Sequence, residues 1–126
     1  MIFVDTNVFM YAVGGEHPLR DEARSELYRA VEEGAPLVTS AEVLQELLHV
    51  YLPVGRQSTL DAALTLVTGC VVDVWPVEAE DVHLARALVS EHPGLGARDL
   101  IHVACCRRRR VSDLMTFDRG LSAAMA

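Results

Sequence analysis

Short apolar runs alternate along the chain with longer stretches of helical spacing. Ile2-Phe3-Val4 reads as a buried strand, and the helix expected after it stops at Gly14-Gly15. Leu19, Ala23, Leu27, Ala30 and Val31 then keep helical spacing until Gly34-Ala35-Pro36. Leu37-Val38 predicts a second strand. Thr39-Ser40 opens a helix carrying Val43, Leu44, Leu47, Leu48 and Tyr51 up to Pro53, and another helix is expected from Ser58 to Thr68, ending at Gly69. Val71 to Trp75 predicts a third strand; Val82, Ala85, Leu88 and Val89 mark the next helix; a further helix spans Ala97 to Arg110. Asp113 to Thr116 is the last strand, before a short terminal helix. Short apolar strands separated by helices, with little polar alternation, predict an α/β fold: a parallel sheet of about four strands with helices on both faces. No repeat, low-complexity tract or linker interrupts the pattern, so residues 1–126 read as one domain.

Composition narrows the chemistry. Hydrophobic residues make up 51% and charged residues 23%, as in a folded domain. The 18 acids outnumber 11 basic residues for a net charge of −7, and every basic residue is Arg. Without lysine there is no Walker-type phosphate lysine, no Schiff-base lysine and no lysine partner for a phosphorylated Asp. The acidic balance also counts against a basic-patch module for polyanions. A phosphate-ester ligand needs some other neutralising charge, and a metal held by carboxylates is the first candidate. The amino terminus lacks a basic n-region and does not read as a signal peptide, and no apolar run approaches the ~18 residues of a membrane span. Cys70, Cys105 and Cys106 offer neither a disulfide framework nor zinc spacing, and read as small core residues in a reducing cytosol.

Topology then gathers the acids. In open α/β sheets, functional groups collect at the carboxyl ends of the strands. Asp5 follows the first strand and Asp118 the last, so both belong on that edge. A helix leading into a parallel strand starts near the same edge, which adds Asp99. The fourth acid is Glu42 or Glu46, which share a helix face. Thr39-Ser40-Ala41-Glu42 has capping-box spacing, giving Glu42 a structural job, whereas Glu46 stands among leucines without one. Topology alone favours Glu42, which is nearer the edge. Taken singly, Asp5, Asp99 and Asp118 fit helix caps or first-turn acids. Taken together they do not: at ~5 Å and an effective dielectric of ~20, each pair costs about 3 kcal/mol in repulsion. A bound cation would relieve it, and oxygen-only ligation selects Mg²⁺ or Mn²⁺ over zinc.

Four stretches carry a family resemblance. Asp5-Thr6-Asn7-Val8 after an apolar strand resembles the opening of the PIN-domain nucleases. Ser40-Ala41-Glu42-Val43-Leu44-Gln45-Glu46-Leu47 resembles the second motif, whose acid falls six positions after the Ser, at Glu46. Asp99-Leu100-Ile101-His102-Val103-Ala104 looks like the third-acid helix, and Leu114-Met115-Thr116-Phe117-Asp118 like the final strand with its Thr and fourth acid. The motifs stand in the family's order from residue 2 to about 121, and the small size is similar to bacterial VapC-type toxins of toxin–antitoxin pairs. The resemblance implies a PIN-like three-layer sandwich and a Mg²⁺- or Mn²⁺-dependent endoribonuclease. Asp5, Glu46, Asp99 and Asp118 would hold one or two ions, and a water activated there would attack an RNA phosphodiester. Asn7 and Thr116 would position those groups. It further implies a cytoplasmic homodimer and a cognate antitoxin that blocks the cleft.

Other features read differently. Arg107 to Arg110 ends a helix, where cations complement the dipole and face solvent. Topology puts the run on the edge opposite the acids, roughly 14 Å from Asp99 along the helix, where it could grip only a distant part of an RNA. Glu46-x-x-His49 and Asp99-x-x-His102 have di-iron spacing, but the strands argue against the all-helical bundle such sites occupy; His102 reads as a polar helix-face residue. Tyr11, Tyr28, Tyr51 and Trp75 are scattered and read as core or interface, without a base-stacking platform. Two rival readings stay open: a phosphoryl-transfer enzyme with Asp5 as acceptor, against which Asn7 and the missing lysine count, and a non-catalytic α/β interaction module.

Overall fold

A computed structural model describes all 126 residues. Strands β1 (Ile2–Val4), β2 (Leu37–Ser40), β3 (Asp73–Trp75) and β4 (Asp113–Met115) form one parallel sheet in the order β3-β2-β1-β4. The helices are α1 (Thr6–Val13), α2 (Arg20–Glu32), α3 (Ala41–Tyr51), α4 (Gln57–Cys70), α5 (Ala79–Ala87), α6 (Ala97–Arg108) and α7 (Arg119–Met125), with a 3₁₀ turn at Leu88–Ser90. This is the expected α/β architecture. Helices cover both faces of the sheet, so Phe3, Val4, Leu37 and Val38 are completely buried. That two-sided burial is why their sequence shows no polar alternation. A core of 20 buried residues joins the sheet to α1–α4 and the end of α6; a smaller cluster of six, including Leu88, Leu100, Val103 and Leu121, lies among α5, α6 and α7.

Several boundaries move, each for a local reason. Thr39 and Ser40 finish β2 instead of opening a helix: the Thr39 hydroxyl donates to the Val4 carbonyl at 2.9 Å, and Ser40 pairs with Trp75. Ser40 occupies the N-cap position of α3 without a side-chain cap bond, so the capping box expected at Glu42 does not form. The box occurs instead at Glu78 and Asp81, at the start of α5. Helix α4 runs through Gly69 to Cys70, because the buried stripe Leu60, Ala63 and Val67 carries it past a residue that costs about 1 kcal/mol in a helix. Val71 then caps α4, and β3 starts only at Asp73. Helix α6 ends two residues early, where Arg110 turns to a positive φ of 57° and the Val111 N–H returns to the Cys106 carbonyl.

The arginine run departs most from expectation. Arg108 and Arg109 reach Asp81 Oδ1 at 2.8 and 2.9 Å, and Asp81 is fully buried. Burial would raise the Asp81 carboxyl, but hydrogen bonds from Arg109 and Arg108 hold it well below the usual carboxylate range. Arg109 also donates to the Pro76 carbonyl at 3.0 Å and lies over the Trp75 ring, while Arg107 pairs with Glu91 at 3.2 Å. Three of these four arginines therefore pin α6 to α5 and neighbouring segments rather than lying free in solvent. Pro76 directly follows β3, so the Arg109 guanidinium reaches toward the carboxyl end of that strand, while the chain after Arg110 enters β4 at Asp113, opposite Ile2 at the amino end of β1.

The cysteines are free, and burial pushes the Cys105 and Cys106 thiols up to about 12, as suits core residues. No helix is long and apolar enough to cross a membrane.

Candidate active site

Two neighbouring strands, β1 and β4, carry the foundation of the site. Asp5 follows β1 and caps α1, its Oδ1 accepting the Thr6 N–H at 2.8 Å. Its Oδ2 accepts the Thr116 hydroxyl at 2.7 Å. The same hydroxyl oxygen receives the Asp118 N–H at 3.0 Å and the Asn7 amide at 3.3 Å, and Asn7 Oδ1 accepts the Phe117 N–H at 3.2 Å. The β1–α1 and β4–α7 turns are thus tied together by Asn7 and Thr116. The tie exists because β1 and β4 pair directly, with the Asp5 N–H donating to the Met115 carbonyl at 3.0 Å. Both oxygens of Asp5 are committed to holding its orientation, a poor arrangement for a phosphoryl acceptor.

The second group lies between α3 and α6. His102 Nε2 is 2.9 Å from Glu46 Oε1 and 3.6 Å from Asp5 Oδ1, and the imidazole is 1% exposed. A carboxylate can only accept, so the shared hydrogen belongs to Nε2; Nδ1 has no partner. Donor atoms of Asp5, Glu46 and His102 all lie within 4.8 Å of one another. The di-iron spacing dissolves here: Glu46 pairs with His102 across two helices, and His49 is exposed.

Asp99, half-buried in the first turn of α6, lines a hollow of ≈ 410 Å³ with Glu46, Gly96, Ala97 and Arg98. Burial raises its carboxyl, and the charges of Asp5, Asp118 and Glu46 add to that against the opposing pull of His102. The four acids therefore share one electrostatic neighbourhood. Asp118 is its exposed member; its Oδ1 caps α7 by accepting the Leu121 N–H at 3.1 Å. Asp5 is likewise raised, by burial first, with His102 and Thr116 opposing. Glu46 behaves oppositely: burial would raise it, but the hydrogen bond and charge of His102 bring it below its ordinary value. Glu42 lies at the margin of this set: burial and then Glu46 raise its carboxyl, and His102 and Arg98, whose Nε is 3.8 Å away, oppose.

Of the pair Glu42 and Glu46, Glu46 is the one bonded to His102, because α6 meets α3 there. Sequence reasoning undervalued His102. The available signal was an ionisable residue on the Asp99 face of a helix that is otherwise apolar from Ile101 to Cys106. The donor set fits a hard divalent cation. Several carboxylates converge on one imidazole, and both Asp5 and Asp99 resist ionisation in the absence of more positive charge.

These shifts fix a sign for pH dependence. Asp5, Asp99 and His102 bind protons more tightly folded than unfolded. Each contributes stability that is complete below its unfolded value and lost as pH rises through its folded value. Glu46 and Asp81 do the reverse, in the acid range. The metal-free protein is expected to lose thermal stability as pH rises through and above the ordinary imidazole range near 6.5, because the unfolded chain releases the His102 proton there while the folded chain still holds it. Saturating Mn²⁺ is expected to flatten that slope. Thermal melts in chelator and in Mn²⁺ check both; a stability that climbs with pH in chelator contradicts the assignment.

An acidic centre at the carboxyl edge of a four-stranded parallel sheet is the arrangement the four motifs implied. Residues 2–125 match the family described as PIN domain, and the chain belongs to that family. Ribonuclease VapC23 of Mycobacterium tuberculosis is 62% identical over 124 residues, which cover 98% of each chain. The fold is similar to the crystal structure of VapC20 of Mycobacterium tuberculosis, described as a sarcin-ricin loop cleaving toxin, with a TM-score of 0.78 and 23% identity over 98% of this chain and 95% of that one. It is similar also to VapBC2 of Rickettsia felis, solved bound to a DNA fragment from its promoter, with a TM-score of 0.72 and 20% identity over 94% and 88% of the two chains.

Proposed function

We propose that the chain is a divalent-metal-dependent endoribonuclease and the toxin of a type II toxin–antitoxin pair. The observation that carries this reading is the convergence of Asp5, Glu46 and Asp99, with Asp118 at the rim, on one edge of a PIN-domain sheet. The full-length relative named a ribonuclease supports it. Asp5, Glu46, Asp99 and Asp118 hold one or two Mg²⁺ or Mn²⁺ ions. A bound cation supplies the positive charge that offsets the phosphate and that acidifies a water for attack.

The chain's own residues supply the geometry. Thr6 and Thr116 fix both oxygens of Asp5. His102 fixes Oε1 of Glu46. Asn7 and Thr116 hold the turn that carries Asp118. Cleavage of structured RNA by the purified chain, dependent on Mg²⁺ or Mn²⁺ and stopped by chelator, is the test. A chain that binds neither ion nor cuts any RNA sinks the reading.

The partners are RNA in the cytoplasm, a second copy of the chain and a cognate antitoxin. An apolar groove of ≈ 770 Å³ between α1, α2 and α4, lined by Leu27, Tyr28, Val31, Leu66 and Cys70, offers the antitoxin a docking surface away from the acids. Tyr28 is 69% exposed there. Tyr28→Asp is expected to leave RNA cleavage intact while weakening antitoxin binding at least tenfold. Coexpressed antitoxin should then fail to rescue growth of cells carrying this variant; full rescue rules the groove out.

A further inference from the structure

An acidic chain without lysine must still hold a polyanion, and its arginines are the natural place to look. Most are engaged elsewhere. Arg107, Arg108 and Arg109 are paired with Glu91, Glu78 and Asp81. Arg24 donates to the Ala12 carbonyl at 2.8 Å, Arg29 pairs with Glu26 at 3.5 Å, and Arg56 lies over the Tyr51 ring. Arg98 differs, because it lines the same hollow as Glu46 and Asp99. Its side chain is 40% exposed, and Glu42 is its acid partner, with Nε and Oε1 3.8 Å apart. That separation is too long for a hydrogen bond, so the guanidinium keeps its donors free. Its charge reaches both Glu42 and Glu46, which places it at the mouth between α3 and α6.

We propose that Arg98 binds a backbone phosphate of the RNA beside Glu46 and Asp99, with Glu42 as the tether that sets its position. The proposal rests on the ribonuclease reading above. A phosphodiester approaching this hollow otherwise meets the carboxylates of Glu46 and Asp99, and no other arginine lines it. The planar guanidinium matches two non-bridging phosphate oxygens, and a counter-charge at the mouth offsets repulsion along the path. Gly96, the N-cap of α6, also lines the hollow and brings no side chain to occupy the first-turn N–H groups. The pair of acids on α3 then divides its work: Glu46 faces the ion, and Glu42 faces the cation that greets the substrate.

The test compares wild type with Arg98→Ala, Arg98→Lys and, as an equal-charge control, Arg29→Ala, at the end of α2 that leads into the opposite edge of the sheet. Steady-state cleavage and anisotropy of a fluorescent single-stranded RNA are measured with Mn²⁺ across a salt series, beside Mn²⁺ calorimetry and thermal melts. Arg98→Ala is expected to raise KM about tenfold and to make the log–log salt dependence shallower by about 0.7, one phosphate contact on a single strand. Its kcat, Mn²⁺ affinity and melting temperature are expected to stay near wild type. Arg98→Lys is expected to fall between, and Arg29→Ala to match wild type. An unchanged KM and salt slope in Arg98→Ala, an equal effect from Arg29→Ala, or a loss confined to kcat overturns the proposal. A wild-type chain that cuts no RNA overturns the ribonuclease reading instead; one that cuts RNA but loses no affinity with Arg98→Ala overturns the phosphate contact alone.

Discussion

Asp99→Asn is expected to lower metal-dependent RNA cleavage by about three orders of magnitude or more, while the fold survives and becomes slightly more stable. The two effects come from the same charge. An asparagine has the shape to keep the first turn of α6 and the lining of the hollow, but its amide oxygen is a weak ligand for a hard dication. In the metal-free protein the carboxylate is a burden. Burial raises it, and Asp5, Asp118 and Glu46 raise it further. Removing the charge relieves that repulsion, by on the order of 1 kcal/mol once solvent screening of a half-buried group is allowed for. A core residue shows the opposite sign when truncated, so the combination of lost activity and gained stability marks an ion site. Mn²⁺ calorimetry, thermal melts in chelator and RNA cleavage together check it. In bacteria, wild-type expression should arrest growth and the Asp99→Asn form should not. An Asp99→Asn chain that cuts at the wild-type rate would remove Asp99 from the ion site.

How much of this was legible depended on the range of the interaction. Ile2-Phe3-Val4 announced β1 because a strand buried on both faces needs no polar position. Asp5, Asp99 and Asp118 could be assembled on one edge because strand polarity alone fixes where a β–α turn and the start of a preceding helix must lie. For Glu42 and Glu46, which share one helix face, topology pointed to the first and the motif spacing to the second; that Glu46 is the one bonded to His102 appears only where α3 meets α6. His102 was undervalued for the same reason: its partner Glu46 is 56 residues away. The arginine run looked solvated because Asp81, its buried counter-ion, lies about one helix upstream and touches it only once α5 packs on α6. The capping box went to the wrong helix because Ser40 was still needed by the sheet. In each case the local pattern was sound, and a long-range contact decided the outcome.

That same long-range contact carries the second large effect. His102→Leu is expected to cost 10–100-fold in Mn²⁺ affinity and about 1–3 kcal/mol in stability, whereas His102→Gln keeps most of both. Leucine is close to histidine in volume and can still pack against Phe3, whose ring centroid is 5.4 Å from the imidazole, so a cavity does not explain the loss. What disappears is the Nε2 donor to Glu46, together with the only positive group between Glu46 and Asp5. A glutamine amide reaches about as far as Nε2 and can replace that hydrogen bond. Asparagine reaches only the position of Nδ1, the atom without a partner, so His102→Asn should resemble the leucine variant. The acid limb of Mn²⁺ binding gives an independent readout. With His102 present, Glu46 ionises below its ordinary value; without it, burial dominates and the carboxyl moves up. Mn²⁺ binding by His102→Leu should therefore need a higher pH than wild type. Equal affinities for the glutamine and leucine variants would remove the hydrogen bond from the account. An affinity in His102→Leu above wild type would reverse it, making the imidazole a competitor for the cation's place instead of the support for its ligands.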